Sequence, residues 1–274
     1  MGHVIGTLPE GEPVRGVTSL ENRLYVLRGS KASDQIEVYD VDSYRLVHCL
    51  TVPKLGTAYD ILACAHYRCV YISDTDISHN CVHRVALPGA AITQWPVNDQ
   101  PYRLSLTDKH SVVVTCHKVH KIKQFTTDGQ LLREVILPQD FLSPCHAFQL
   151  SSGEFIVCHG DRDDPLHRVC LIGTDGHFVK SYGGSKGSGS QQMNVPIHMA
   201  VDRIGFVFVA DANNNRVLLL SPTLTYVREV VSREQLQWLP RSLSIDVARR
   251  RLYVADNEYK DGKYTVGRVI VVNV

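Results

Sequence analysis

The sequence predicts an all-β fold: a six-bladed β-propeller of four-stranded blades closed into a ring. Three observations predict it. Short β-branched and aromatic runs separated by turn residues dominate the chain, with almost no helical periodicity. An opening motif recurs at Pro13, Ala58, Pro101, Pro144, Pro196 and Pro240, at intervals of 45, 43, 43, 52 and 44 residues. That is the length of one four-stranded blade. The second strand of each unit ends in a matching column, "YVLR", "YISD", "VTCH", "IVCH", "FVAD" and "YVAD". It aligns Arg28, Asp74, His117, His159, Asp211 and Asp256, mostly after a small residue that suits crowded blades.

Each blade is then read as strands a to d. In "VFVADANNNRVLLL", Asp211 closes strand b and Arg216 opens strand c; Asp256 and Arg268 repeat the arrangement. Such a pair pins the loop between the strands, since a partly buried charged pair orders a loop more than it stabilises one. Arg168 holds the Arg position of the fourth blade, where His159 replaces the Asp. The sixth blade runs out after strand c, at "YTVGRVIVVNV". The N-terminal "HVIGTLP" resembles the fourth strands "LLREVILP" and "LVHCLTVP". Residues 3–8 are therefore expected to complete the last blade and remove the free sheet edges. One domain over residues 1–274 is expected, with no second domain.

Composition narrows the function classes. The 274 residues are 44% hydrophobic and 21% charged, with a formal net charge of +1. No global field favours nucleic acid, membrane or an acidic substrate. The eight cysteines lack zinc-finger spacing and sit mostly in apolar runs, as at Cys116, Cys158 and Cys170. There they act as small hydrophobes, which fits a reducing, cytoplasmic setting without disulfides. No run approaches a membrane span, and the start has neither a charged n-region nor an apolar h-region, so no signal peptide is expected.

The segment "GGSKGSGSQQMNVPIHMAVDRIGFVFVADANNNRVLLLSP" resembles an NHL repeat, and "LPRSLSIDVARRRLYVADNEYKDGKYTVGRVIVV" resembles a second with a longer b–c loop. The other four blades share length and register but depart in motif. Arg28, His117 and His159 stand in for the Asp, and Gln35, Cys81 and Lys121 for the Arg. The resemblance implies a propeller like those at the C-terminus of TRIM-NHL ubiquitin ligases.

It also implies that the d–a and b–c loops share one face around the channel. Two rings are expected to converge there. The first holds Arg15, Asp60, Arg103, His146, His198 and Ser242; the second is the strand-b column. The candidate ligand-binding face is Arg15, Tyr59, Asp60, Tyr102, Arg103, His146, His198 and Arg241, since Tyr and Arg anchor interfaces. The leading expectation is a protein or peptide partner, with the domain a monomeric recognition module of a TRIM-like ligase or scaffold.

Single-stranded RNA on the same face is the alternative. Cations and aromatic planes favour it, while the carboxylates of "GDRDDP" and "SDTDIS" oppose it. A second alternative is a lyase-type zinc site on His146, His198 and His159, because three neutral imidazoles and an open position suit catalytic zinc. No cofactor and no enzymatic activity are expected of the isolated domain. "GGSKGSGS" lacks the GK[ST] ending of a phosphate loop.

Overall fold

The computed structural model describes residues 2–29, 34–89 and 91–274. They form six sheets of four antiparallel strands. The innermost strands a are Val14–Leu20, Ala58–Cys64, Leu104–Leu106, Pro144–Gln149, Pro196–Val201 and Leu239–Asp246. Among the described residues the only helices are two single-turn 3₁₀ segments, His117–Val119 and Ala212–Asn214. No helix is long and apolar enough to cross a membrane.

The hydrophobic core consists of six separate clusters, one between each pair of adjacent blades. Blades 5 and 6 meet through Phe208, Val217, Leu243 and Val254, and blades 6 and 1 through Val17, Val26, Tyr253 and Val271. Strands a and b are buried on both faces, so they read as continuous apolar runs. Strands d form the rim and leave pairs such as Leu46–Val47, Leu131–Leu132 and Tyr226–Val227 exposed.

The ring closes as the sequence predicts. His3–Thr7 pairs antiparallel with Lys263–Asn273 as the outer strand of blade 6. Gly2 N–H donates to Val230 O of blade 5 at 2.7 Å, and Leu8, 1% exposed, donates to Val269 O at 2.8 Å. Thus the last blade is made from both ends of the chain, and removing one end opens two edges.

Two positions shift by one residue from their expected columns. In five blades a β-bulge interrupts the a–b ladder near the blade opening, between Val14 and Gly16, Ala58 and Asp60, Pro144 and His146, Pro196 and His198, and Pro240 and Ser242. The skipped residues are Arg15, Tyr59, Cys145, Ile197 and Arg241. Blade 3 does the same at Tyr102, whose N–H and the Arg103 carbonyl both bond Thr115. Arg15 therefore belongs with Tyr59 and Arg241, and Gly16 takes its place in the inner ring. Likewise strand b of blade 3 ends at Cys116, which pairs with Lys121 as Asp211 pairs with Arg216. His117 opens the following 3₁₀ turn, equivalent to Ala212.

Deleting residues 2–8 is expected to lower the thermal midpoint and broaden the transition followed by circular dichroism. An unchanged, equally cooperative melt would show that the ring does not depend on this strand.

Candidate functional site

Strand a is the inner edge of every blade, and half its N–H groups point into the channel with no strand to pair them. Buried amides must find acceptors, and the inner ring supplies them. The side chain of each acceptor-bearing ring residue takes the N–H that follows the ring position of the next blade. Asp60 Oδ2 accepts from Leu104 N at 2.9 Å, and His146 Nδ1 from Met199 N at 3.1 Å. His198 Nδ1 accepts from Leu243 N and Ser242 Oγ from Val17 N, each at 3.3 Å. Gly16 has nothing to offer Ile61, and a Cβ there would lie 2.9 Å from Ile61 N. Blades 1 and 2 are laced one step further along instead, by Ala63 N donating to Thr18 Oγ1 at 3.1 Å.

Arg103, also without an acceptor, is the hub. Its fully buried guanidinium donates to Asp60 Oδ1 at 3.0 Å, to Arg15 O at 3.1 Å and to Arg241 O at 3.0 Å. One side chain from blade 3 thus ties blades 1, 2 and 6. Burial alone would raise the Asp60 carboxyl, but the Arg103 charge holds it well below the ordinary carboxylate range.

His146 and His198 lie side by side, with ring centroids 4.3 Å apart. His146 Nε2–H donates to Leu104 O at 3.1 Å, so both its nitrogens are engaged. His198 Nε2 faces Asp60 Oδ1 at 3.8 Å. Burial pulls both imidazoles below the usual histidine value. His159 is elsewhere: it stacks on Phe141 at 4.7 Å and accepts Arg168 Nε–H at 3.1 Å. Burial, with the Arg168 charge, pulls it down to about 4. The structure does not assemble these three histidines around one point.

The strand-b column is a set of loop clamps. Asp211 accepts Asn194 N at 2.7 Å and Arg216 Nε at 2.7 Å. Asp256 accepts Gln237 N, Trp238 N and Arg268 Nε at 2.9–3.0 Å. Each therefore holds the d–a loop as well as the start of strand c. Blade 1 reverses the polarity: Arg28 donates to the carbonyls of Pro9, Glu12 and Gly267 and to Glu37 at 2.5 Å. In blade 2, Asp74 accepts Gly56 N and Thr57 N, and His83 Nε2 stands in for the arginine at 3.2 Å. Cys81 Sγ lies 3.4 Å from that nitrogen. Asp74, Cys81 and His83 are the one trio of possible metal ligands brought together among the described residues. Burial would raise the Asp74 carboxyl, but His83 and the amides of Gly56, Asp76 and Thr57 hold it at about 2.

With the ring laced, the site that remains is the mouth above it. The bulges turn a second set of side chains toward the loops. Tyr59 stacks on Tyr102 at 4.0 Å, and Tyr102 on His117 at 4.7 Å. The Arg103 and Arg241 guanidiniums lie 5.0 and 4.9 Å from the Tyr59 centroid. Beside them opens a pocket of about 500 Å³, lined by Glu12, Arg15, Arg241, Lys263, Tyr264 and Thr265 among others. The last three come from the long hairpin of blade 6, Arg251–Lys260 and Lys263–Asn273. Its length was visible in the sequence as the extended b–c loop, but Lys263 and Tyr264 were not expected at the site. A second cavity of about 270 Å³ lies in the channel, lined by Asp60, His146 and His198 of the ring together with mostly apolar residues of strands a.

Two expectations follow. Asp60→Asn leaves the buried Arg103 charge uncompensated and should cost about 3–5 kcal/mol in denaturant unfolding; a cost under about 1 kcal/mol would contradict the hub. Burial keeps His146, His159 and His198 neutral in the folded state, and they ionise near 6.5 when unfolded. Stability is then full above pH 6.5 and falls with acid, for His159 down to its folded value of about 4. A thermal midpoint flat between those pH values would contradict it.

No protein-family model matches the chain, and no curated protein matches it. Solved structures do. A PQQ-bound aldose sugar dehydrogenase from Streptomyces coelicolor is similar at 15% identity and a TM-score of 0.70, over 99% of this chain and 98% of that one. Virginiamycin B lyase from Staphylococcus aureus is similar at 12% identity and a TM-score of 0.62, over 97% and 99%. A protein of unknown function from Bacteroides caccae is similar at 14% identity and a TM-score of 0.63, over 87% and 84%. At these identities the likeness extends to the fold: the chain is a six-bladed β-propeller.

Proposed function

We propose that this propeller is a recognition platform that binds a protein or peptide partner at the channel mouth, as the recruiting module of a TRIM-like ligase or scaffold. The observation that carries the reading is the division of the polar residues. Asp60, Arg103, His146 and His198 are committed to neighbouring blades, whereas Arg15 and Arg241 line an open pocket, with Tyr59 against the Arg241 guanidinium and Tyr102 stacked on Tyr59. Rigid strands below and independently variable loops above suit a docking surface. Tyr and Arg are the side chains that most often anchor one. The NHL-like motifs of blades 5 and 6 support the ligase context. A lyase-type zinc site finds less support, because both His146 nitrogens are already bonded and His159 is remote.

Single-stranded RNA is the competing ligand, favoured by the Tyr59–Tyr102–His117 stack. Fluorescence anisotropy of random-sequence single-stranded RNA at about 50 and about 200 mM salt separates the two, since phosphate contacts weaken steeply with salt. The expected result is no micromolar binding at either. Micromolar RNA binding that drops at least tenfold with salt, and is lost in Arg15→Ala with Lys263→Ala, would replace the protein reading.

A further inference from the structure

Four cationic side chains are buried among the described residues: Arg28, Arg103, Lys123 and Arg241. Three have a carboxylate in reach. Arg28 meets Glu37 at 2.5 Å, Arg103 meets Asp60 at 3.0 Å, and Lys123 meets Asp99 at 2.7 Å. Arg241, only 4% exposed, has none within 4.0 Å among the described residues. Instead its guanidinium lies 4.9 Å from the Tyr59 centroid and 4.4 Å from that of Tyr264. Two aromatic faces stabilise a cation without neutralising it. A buried charge that is left without a counter-ion is costly, and this one borders the mouth pocket.

The pocket around it is cationic. Arg15, Arg241 and Lys263 line it against one acid, Glu12, and behind the wall Arg15 also meets Asp34 at 3.5 Å. Burial lowers the Arg15 guanidinium from its ordinary value; Asp34 opposes this, while the like charges of Arg241 and Arg103 add to it. An anion seated here relieves that repulsion and supplies the missing partner of Arg241.

We propose, building on the platform reading, that the pocket receives one carboxylate of an acidic peptide. Arg241 and Arg15 are the paired guanidiniums that recognise it, and Lys263 is the cation at the rim. Guanidinium forks match a carboxylate in two parallel hydrogen bonds. The surroundings favour a single carboxylate over a nucleic-acid backbone. Glu12 is in the wall, and Asp161, Asp163 and Asp164 flank Arg162, whose guanidinium lies 4.0 Å from the Tyr259 ring on the same blade 6 hairpin. A string of phosphates would meet those acids; one side chain between neutral neighbours does not.

The test is selection of random dodecapeptides on the intact 274-residue chain, followed by affinity measurement on the best binder. The expected result is a common acidic group at one position. Replacing Glu by Gln or Asp by Asn there, or amidating the C-terminus if the group is terminal, should weaken binding at least about tenfold. These two arms tell a side-chain carboxylate from a terminal one.

Lys263→Glu should weaken the same peptide about tenfold. Gly29→Ala is a gentler second variant, because its Cβ would overlap the Arg15 guanidinium and push it from the pocket. It should weaken binding with the thermal midpoint held. Peptides that bind tightly with no acidic preference, or that ignore both substitutions, would overturn the carboxylate site and leave the platform standing. Failure to select any peptide, with RNA bound instead, would overturn the platform and the carboxylate site together.

Discussion

The unpaired inner edge of strand a is the constraint on which the molecule depends. A ring of blades points six such edges at one another across a channel, where an orphaned buried amide is expensive. Adjacent blades are too sharply inclined to pair as a continuous sheet. The solution in four blades is a polar side chain at one position of the inner strand, reaching sideways to the next blade. Asp60, His146, His198 and Ser242 accept the N–H groups of Leu104, Met199, Leu243 and Val17. Arg103 does the complementary task, donating to carbonyls of blades 1 and 6. The apolar clusters between blades supply the bulk of the cohesion; the polar ring makes the register between blades specific.

The same constraint decides where function can reside. A charge or imidazole spent on a neighbouring backbone is poorly placed to serve a ligand, and protonating Nδ1 of His146 would break its bond to Met199. The bulges resolve the conflict. One extra residue per inner strand lets a blade present both a lacing side chain and, immediately before it, a side chain directed at the mouth. Arg15, Tyr59, Tyr102 and Arg241 are that second set in blades 1, 2, 3 and 6, whereas Cys145 and Ile197 of blades 4 and 5 pack into the apolar clusters between blades. The clamps of strand b then hold the loops above at fixed heights, so the pocket between blades 1 and 6 sits on a rigid base.

Much of this was legible in the chain. The recurrence of Pro, small residue and Asp fixed blade number, strand order and closure, because those features repeat with the unit. The clamps at Asp211–Arg216 and Asp256–Arg268 were legible for the same reason. Two register errors of one residue were not avoidable by spacing alone. Blade 1 carries Pro13 one residue ahead of Val14, where its ladder opens, and blade 3 carries His117 one residue past Cys116, where its strand b ends, so matching residue types slides the register by one. The deeper ambiguity was direction. A column of Asp, Arg and His looks alike whether it faces a ligand or the next blade, since both tasks need hydrogen-bonding groups at the channel. Lys263 and Tyr264 escaped notice because a loop residue carries no repeat signal.

The division between a laced ring and a free mouth is tested most directly by native-state amide hydrogen exchange at Leu104, Met199, Leu243 and Val17. These four N–H groups leave the sheet and bond only to side chains of a neighbouring blade. If the ring is structural, they exchange as slowly as the central strand-b amides of Val114, Val209 and Val254, opening only with global unfolding. Exchange orders of magnitude faster, at the rate of an exposed sheet edge, would show a solvated channel whose polar residues are free to bind something else.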